Sequence, residues 1–226
     1  MRITLSAALL LTVFAVQAQK SKPVKVKIKT IADSVSYALG ANYANKLKEQ
    51  IDLGGLNPLA IAKGIEDVVN KSTPLWSTGD SDKLVESYYK SKKEEAEKAN
   101  KEAGEKYLKE LDGKKGFTKT ESGLIYEVLK ANDAGTSPTL ASKVTVHYEG
   151  KLIDGTVFDS SIKRGQPASF PVGGVIRGWV EALQLMKTGE KWRLHIPQDL
   201  GYGSRGTRGI PSYSVLVFEV ELISID

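Results

Sequence analysis

Apolar positions recur along the chain with two different periods, and the change falls near Gly116. Before it the period is helical. Val35, Leu39, Tyr43 and Leu47 recur every four residues and draw one stripe down a helix that Asp33 is placed to cap. Gly40 and Ala44 lie beside that stripe and leave room for a partner helix. Gly54-Gly55 breaks the pattern, and Asn57-Pro58 restarts it with a capping side chain followed by proline at the first helical position. Ile61, Ile65, Val68 and Val69 continue this second stripe to about Asn70, where Ser72-Thr73-Pro74 ends it. A third helix starts at Asp80 or Ser81 and runs over about 82–111, which spans about 45 Å at 1.5 Å per residue. Leu84, Val85 and Tyr88 make its start apolar, and Tyr107, Leu108 and Leu111 its end. The stretch between is polar all round except for alanines, the pattern of a solvent-exposed strut laced by charge pairs one turn apart.

From Gly116 the pattern becomes short runs of period two: GLIYEVLKA, KVTVHYEGKLI, TVFDSS, EKWRLHIP and VLVFEVELISI. Asp154-Gly155 supplies a hairpin turn between the second and third runs. One helix, Gly178 to Met186, interrupts the strands and puts Trp179, Leu183 and Met186 on one face. The predicted fold class is therefore α+β: a bent antiparallel β-sheet wrapped on one short helix, preceded by an all-α part.

Composition narrows the chemistry. The 226 residues hold no cysteine, which removes disulfides, thiolate metal sites and thiol nucleophiles, and only two histidines, His147 and His195. Both histidines fall on predicted strands and read as structural residues. The formal net charge is +5. Taken alone it suggests a polyanion partner, but its distribution removes that reading. Residues 19–29 carry five lysines and no acid, whereas residues 30–115 carry 14 Lys against 15 Asp and Glu, and residues 116–226 carry 12 basic and 12 acidic residues. No nucleic-acid role is expected. Residues 1–18 combine Arg2, an apolar run from Ile3 to Val16 and a small residue at Ala18, the pattern of a cleavable export signal and too short for a membrane span. The expected organisation is a signal peptide over 1–18, a Lys-rich tether over 19–29, a helical dimerisation domain over 30–115 that includes the long connecting helix, and a β-rich domain over 116–226. The helical part is too small to bury a core alone, so a homodimer through residues 30–90 is expected. Packing of the two short helices on the β-rich domain is the alternative. The mature protein is expected to be exported, with the periplasm ahead of the outer surface or secretion.

Seven segments of the β-rich half occur in a fixed order: VHYEG (146–150), GTVFDSS (155–161), VIRGW (175–179), GEK (189–191), IP (196–197), LGYG (200–203) and LVFEVEL (216–222). Together they resemble the FKBP-type peptidyl-prolyl cis-trans isomerases, over about residues 116–226. The helical half is similar in layout to the dimerisation module of exported bacterial members of the FkpA/Mip kind.

The resemblance implies an enzyme without cofactor or metal. Rotation about an X–Pro bond faces a barrier of about 18–20 kcal/mol from amide resonance. Lowering it requires a site that holds the twisted amide better than either planar form. By resemblance, Trp179 floors the prolyl pocket and Tyr148, Phe158, Phe170, Val175, Ile176 and Phe218 wall it. The hydroxyl of Tyr202 and the backbone N–H of Ile176 bind substrate carbonyls. Asp159 sits at the edge with Tyr148 and Arg164, and Ile210 lines a covering loop. Composition alone reads the aromatic residues as core, and it is the motif match that reverses this. Three departures from the family pattern stand out: Ala168 where an aromatic is common, Tyr213 in the covering loop, and Arg205 and Arg208 after Tyr202, which favour acidic or polar flanks. The implied partners are proline-containing unfolded or partly folded polypeptides, and the family's macrolide inhibitors. The competing class is a dimeric holdase in which isomerisation is secondary.

Overall fold

The computed structural model describes residues 26–50 and 55–226, and the chain divides between Pro74 and Leu75 into two compact units. The expected signal peptide and most of the Lys-rich tether lie outside the described residues.

The first unit holds α1 (Ile31–Gln50) and α2 (Pro58–Val69). α1 starts earlier than Asp33. Thr30 Oγ1 accepts from the Asp33 N–H at 3.1 Å and Asp33 Oδ2 accepts from the Thr30 N–H at 2.9 Å, a reciprocal capping pair that moves the first turn upstream. Asn57 caps α2 through the Leu59 N–H, with Pro58 at its first position, as the sequence predicts. The stripe of α1 remains exposed in the single chain, Leu39 at 65% and Tyr43 at 63%, and so do Ile65, Val68 and Val69 of α2.

The second unit begins with α3 (Thr78–Leu111), four residues longer at its start than the sequence suggests. Ser77 is the cap and accepts from the Asp80 N–H, so Asp80 lies inside the helix. Its polar middle carries pairs one turn apart, such as Lys92–Glu95 and Lys98–Glu102.

Seven antiparallel strands follow: β1 (Thr118–Lys119), β2 (Ile125–Lys130), β3 (Lys143–Leu152), β4 (Val157–Ser160), β5 (Ala168–Pro171), β6 (Lys191–Ile196) and β7 (Leu216–Ile225). Their order is β1-β2-β6-β7-β3-β4, and β5 shares the outer edge of β3 with β4. β1 and β5 are absent from the sequence-based expectation. Two and four residues are too few to show a period, and Pro171 at the end of β5 suits an edge. α4 (Arg177–Leu185) packs Trp179, Ala182 and Leu183 into a core with Val144, Val146, Leu194, Leu216 and Val220 of the sheet.

The C-terminal turns of α3 dock on this unit through one face. Asn100 Nδ2 donates to the Ser212 carbonyl at 2.5 Å and to Ser214 Oγ at 3.0 Å, and Tyr107 Oη pairs with His195 Nδ1 at 2.8 Å. Between them, a Cβ on Gly104 would stand 2.8 Å from Val215 Cγ2, so only glycine lets the helix approach this closely. The strut expected from the polar composition is thus exposed in its middle and held at its end.

Candidate functional site

Strand alternation aims the first site residues. β3 turns Val144, Val146, Tyr148 and Gly150 inward and His147 and Glu149 outward. Gly150 has a steric reason to lack a side chain, because a Cβ there would lie within 2.7 Å of both the Phe158 and Phe218 rings. The segment after β4 is tied back to β3 by Ser161, whose hydroxyl accepts from the Tyr148 N–H at 2.7 Å. This fixes Phe158 and Asp159 beside Tyr148. α4 begins at Ile176, whose carbonyl accepts from the Trp179 and Val180 N–H groups, and that first turn places Trp179 under the rings.

Trp179 is the hub of an aromatic cluster. Its ring meets Tyr148 at 5.3 Å, Phe218 at 5.2 Å and Phe170 at 6.0 Å between centroids, all close to perpendicular. Phe158 meets Phe218 edge-on at 5.4 Å. Edge-to-face pairs contribute about 0.5–1.5 kcal/mol each beyond the area they bury, so the cluster is a stiff frame. The buried indole Nε1 of Trp179 has no acceptor among the described residues.

The frame bounds a cavity of about 620 Å³ lined by Tyr148, Phe158, Asp159, Phe170, Val175, Ile176, Trp179, Tyr202, Ile210 and Phe218, together with Gly174, Thr207 and Arg208. Ten of the eleven residues expected from sequence therefore line one space. Arg164, the eleventh, lies outside the lining and acts on it. Its guanidinium pairs with Asp159 Oδ1, donates to Tyr148 Oη at 2.8 Å and stands 5.5 Å from the centre of the Tyr148 ring. Tyr148 Oη donates in turn to Asp159 Oδ2 at 2.5 Å. Burial alone would raise the Asp159 carboxyl, but the Tyr148 hydroxyl and the Arg164 guanidinium outweigh it and hold it below the usual carboxylate range. Asp159 is therefore an anion at neutral pH. Burial pushes the Tyr148 hydroxyl up, and its bond to Asp159 adds to the rise.

The loop over the cavity is a tight hairpin. Thr207 N–H donates to the Ile210 carbonyl at 2.9 Å and Ile210 N–H to the Thr207 carbonyl at 2.8 Å, leaving Arg208-Gly209 at the tip. Ile210 is buried beneath it, whereas Tyr202 keeps 40% of its surface exposed. Tyr213 does not reach this cavity. Its backbone has φ +60°, and it lines a second, neighbouring cavity with Arg177, Asp199, Tyr202 and Arg205. Ala168 lies on β5 against the core and outside the lining, so the absence of an aromatic there does not open the wall. Sequence reasoning missed Gly174 and Thr207 as lining residues. The Gly206-Thr207-Arg208-Gly209 run, a turn signal, was available in the sequence for the latter.

Both histidines are structural in their contacts. His147 Nδ1 pairs with Ser161 Oγ at 3.1 Å, and His195 is buried against Tyr107 and Phe117. Among the described residues no group of three or more His, Asp and Glu is placed to hold a metal ion.

Comparison with known proteins gives a consistent answer. The profile described as "FKBP-type peptidyl-prolyl cis-trans isomerase" matches residues 135–223, and that described as "Domain amino terminal to FKBP-type peptidyl-prolyl isomerase" matches residues 32–128. The FKBP-type 22 kDa peptidyl-prolyl cis-trans isomerase of Escherichia coli K12 is 44% identical over 200 residues, covering 87% of this chain and 96% of that protein. The outer membrane protein MIP of Legionella longbeachae is 38% identical over 205 residues, covering 87% of this chain and 86% of its own. The crystal structure of FkpA from Escherichia coli superposes with a TM-score of 0.72 at 35% identity, covering 88% of this chain and 99% of that one.

Proposed function

The chain belongs to the family of FKBP-type peptidyl-prolyl cis-trans isomerases, and from that premise we infer that its catalysis is carried by the cavity around Trp179. The supporting observation is the pairing of an aromatic chamber with a single carboxylate at its edge that is ionised at neutral pH.

A planar prolyl amide carries partial negative charge on its carbonyl oxygen and double-bond character in its C–N bond. The twisted amide has lost the double-bond character and the part of that charge which conjugation supplied. It is the less polar species, so an apolar chamber that keeps water from the carbonyl favours it over the planar forms. Trp179 supplies the floor for the proline ring, and Tyr148, Phe158, Phe170, Val175, Ile210 and Phe218 supply the walls. The Asp159 carboxylate disfavours negative charge on a nearby carbonyl oxygen, which penalises the planar amide more than the twisted one. Tyr148 and Arg164 hold that carboxylate in place and keep it ionised. The Tyr202 hydroxyl and the Ile176 N–H donate to carbonyls of the flanking peptide and stop the chain from turning with the bond. No proton is transferred and no covalent bond is made. The substrates are proline-containing unfolded or partly folded polypeptides, and a macrolide inhibitor of the family competes for the same chamber.

Two further readings accompany this one. The protein is exported and works in the periplasm, in keeping with the signal-like residues 1–18. Among the described residues no helix is long and apolar enough to cross a membrane. It is a homodimer through residues 30–90, in keeping with the exposed stripes of α1 and α2. We assign the helical dimerisation domain to 30–115 and the isomerase domain to 116–226, with α3 as the connection, although α3 packs in one compact unit with the sheet.

The test is a prolyl-peptide isomerisation assay. Phe158→Ala and Asp159→Ala are expected to lower kcat/KM by about tenfold or more. Tyr202→Phe is expected to cost about two- to tenfold, the worth of one hydrogen bond. Undiminished activity in all three variants overturns the assignment.

A further inference from the structure

The second cavity, about 500 Å³ and lined mainly by polar groups, takes no part in the chemistry above. It shares Tyr202 with the prolyl cavity, so a peptide leaving the prolyl chamber past that side chain enters it. Three guanidiniums stand along this path. Arg208 lines the prolyl cavity from the tip of the Thr207–Ile210 hairpin, and Arg177 and Arg205 line the second cavity. Two hydrogen bonds close the hairpin and fix the place of Arg208 in the rim. The base of the loop is closed by the Tyr213 N–H, which donates to the Gly203 carbonyl at 2.9 Å.

The charges differ in how far they are satisfied. Arg164, at the Asp159 edge, is neutralised by that carboxylate. Arg177 donates to the Asp199 carbonyl. Arg205 and Arg208 are exposed and form no ion pair among the described residues. The carboxylate lining the second cavity is that of Asp199, whose Oδ1 accepts from Gln198 Nε2 at 2.5 Å. Three cations against one anion leave positive potential where the flank of a bound peptide must lie. An unpaired surface arginine is ordinarily just solvated. Here one lines the prolyl cavity from a closed turn and the other lines the adjoining cavity from the end of a short 3-10 helix, and Tyr202 lines both.

We propose that this isomerase prefers prolines flanked by an acidic residue, whose carboxylate Arg205 and Arg208 hold beside Tyr202. The inference rests on the isomerase reading and adds to it a class of client: acidic segments of unfolded chains. Lysine at the same flank is disfavoured by the same charges.

The experiment compares kcat/KM for peptides that share one prolyl core and carry Glu, Gln or Lys two residues before or two residues after the proline. At low salt, the Glu peptide at one of the two positions is expected to exceed its Gln counterpart by about two- to fivefold, the range of an exposed ion pair, with Lys below both. The ratio is expected to approach one at about 0.5 M salt, where screening acts within a few Å. The double variant Arg205→Gln/Arg208→Gln is expected to bring the Glu-to-Gln ratio to one, and Arg205→Lys/Arg208→Lys to keep it above one. A ratio of one or less in the unaltered protein at both positions overturns the proposal, as does a ratio that the Gln double variant leaves unchanged. Failure of the unaltered protein to turn over the Gln peptides is a different result, and it overturns the isomerase reading along with this one.

Discussion

The α1–α2 unit and the β-sheet unit both carry recurring apolar positions, yet only the sheet completes its burial within one chain. Leu194 and Leu216 lose essentially all their surface, whereas Leu39 and Tyr43 keep well over half of theirs. The difference is one of layers. A sheet face covered by α4 closes a core by itself, while two short helices offer one stripe each and no third surface to cover them. Periodicity therefore tells where an apolar face is, and the count of available layers tells whether the chain or a partner must cover it.

The sharpest way to break this comparison is to truncate a side chain in each unit. Leu194→Ala or Leu216→Ala is expected to destabilise the sheet by about 2–5 kcal/mol, read as a lowered urea midpoint. Leu39→Ala is expected to leave that midpoint within about 0.5 kcal/mol and to act on subunit association, read by sedimentation. An equal loss from Leu39→Ala in unfolding, with no change in sedimentation, removes the distinction.

A pH profile sharpens the comparison next, because only the sheet unit buries a titratable ring. His195 is 3% exposed, and burial, with Arg193 nearby as a second cause, lowers its pKa to about 4. Unfolded, the ring titrates near 6.5, so the unfolded chain binds the proton first as pH falls. Stability is then complete above about pH 6.5, declines as pH falls to about 4, and stops declining on this account below that. The drop is expected to be about 3 kcal/mol. His195→Asn is expected to flatten the profile in this window. The slope that remains at lower pH includes Glu219, whose carboxyl Arg193 and then Lys191 hold at about 2.

The smallest expected effect is at the caps. Asn57→Ala at α2 and Ser77→Ala at α3 are each expected to cost about 1 kcal/mol of local helix stability, read by hydrogen exchange in the first turn. Equal losses at the two caps would show that the helical unit is no looser at its ends than the unit containing the sheet.

What was legible in the sequence follows the same physics. The resemblance carried by seven ordered motifs named ten residues that line one cavity, whereas strand alternation alone reads the aromatic ones among them as core. Arg164 was named with them and acts from outside the lining, since a long side chain reaches its partners without sharing their wall. The docking face of α3 was only half visible. Asn100, Gly104, Tyr107 and Leu111 are spaced as one helix face, but an amide and a residue without a side chain leave no trace in an apolar pattern. The sequence offers Asp33 as a cap and Asp80 or Ser81 as a helix start, whereas Thr30 and Ser77, three residues before the two aspartates, are the caps. Tyr213 belongs by sequence to the covering loop, yet it lines the second cavity and not the prolyl one.

The position of β7 has a consequence for how the molecule is made. It follows every other strand in sequence yet lies between β6 and β3, pairing Val144 with Ile225 and His195 with Val217. Until residues 216–225 have left the ribosome, β3 and β6 each keep an open edge, and Phe218 is absent from the chamber it later walls. The turns of α1 to α3 need only contacts within each helix, whereas the β3–β7 pairing waits for loops of about 64 to 81 residues to close, and the docking face of α3 waits with it. An enzyme for slow folding steps is thereby itself a late folder, and for the length of its own synthesis it is exposed as an unfinished chain.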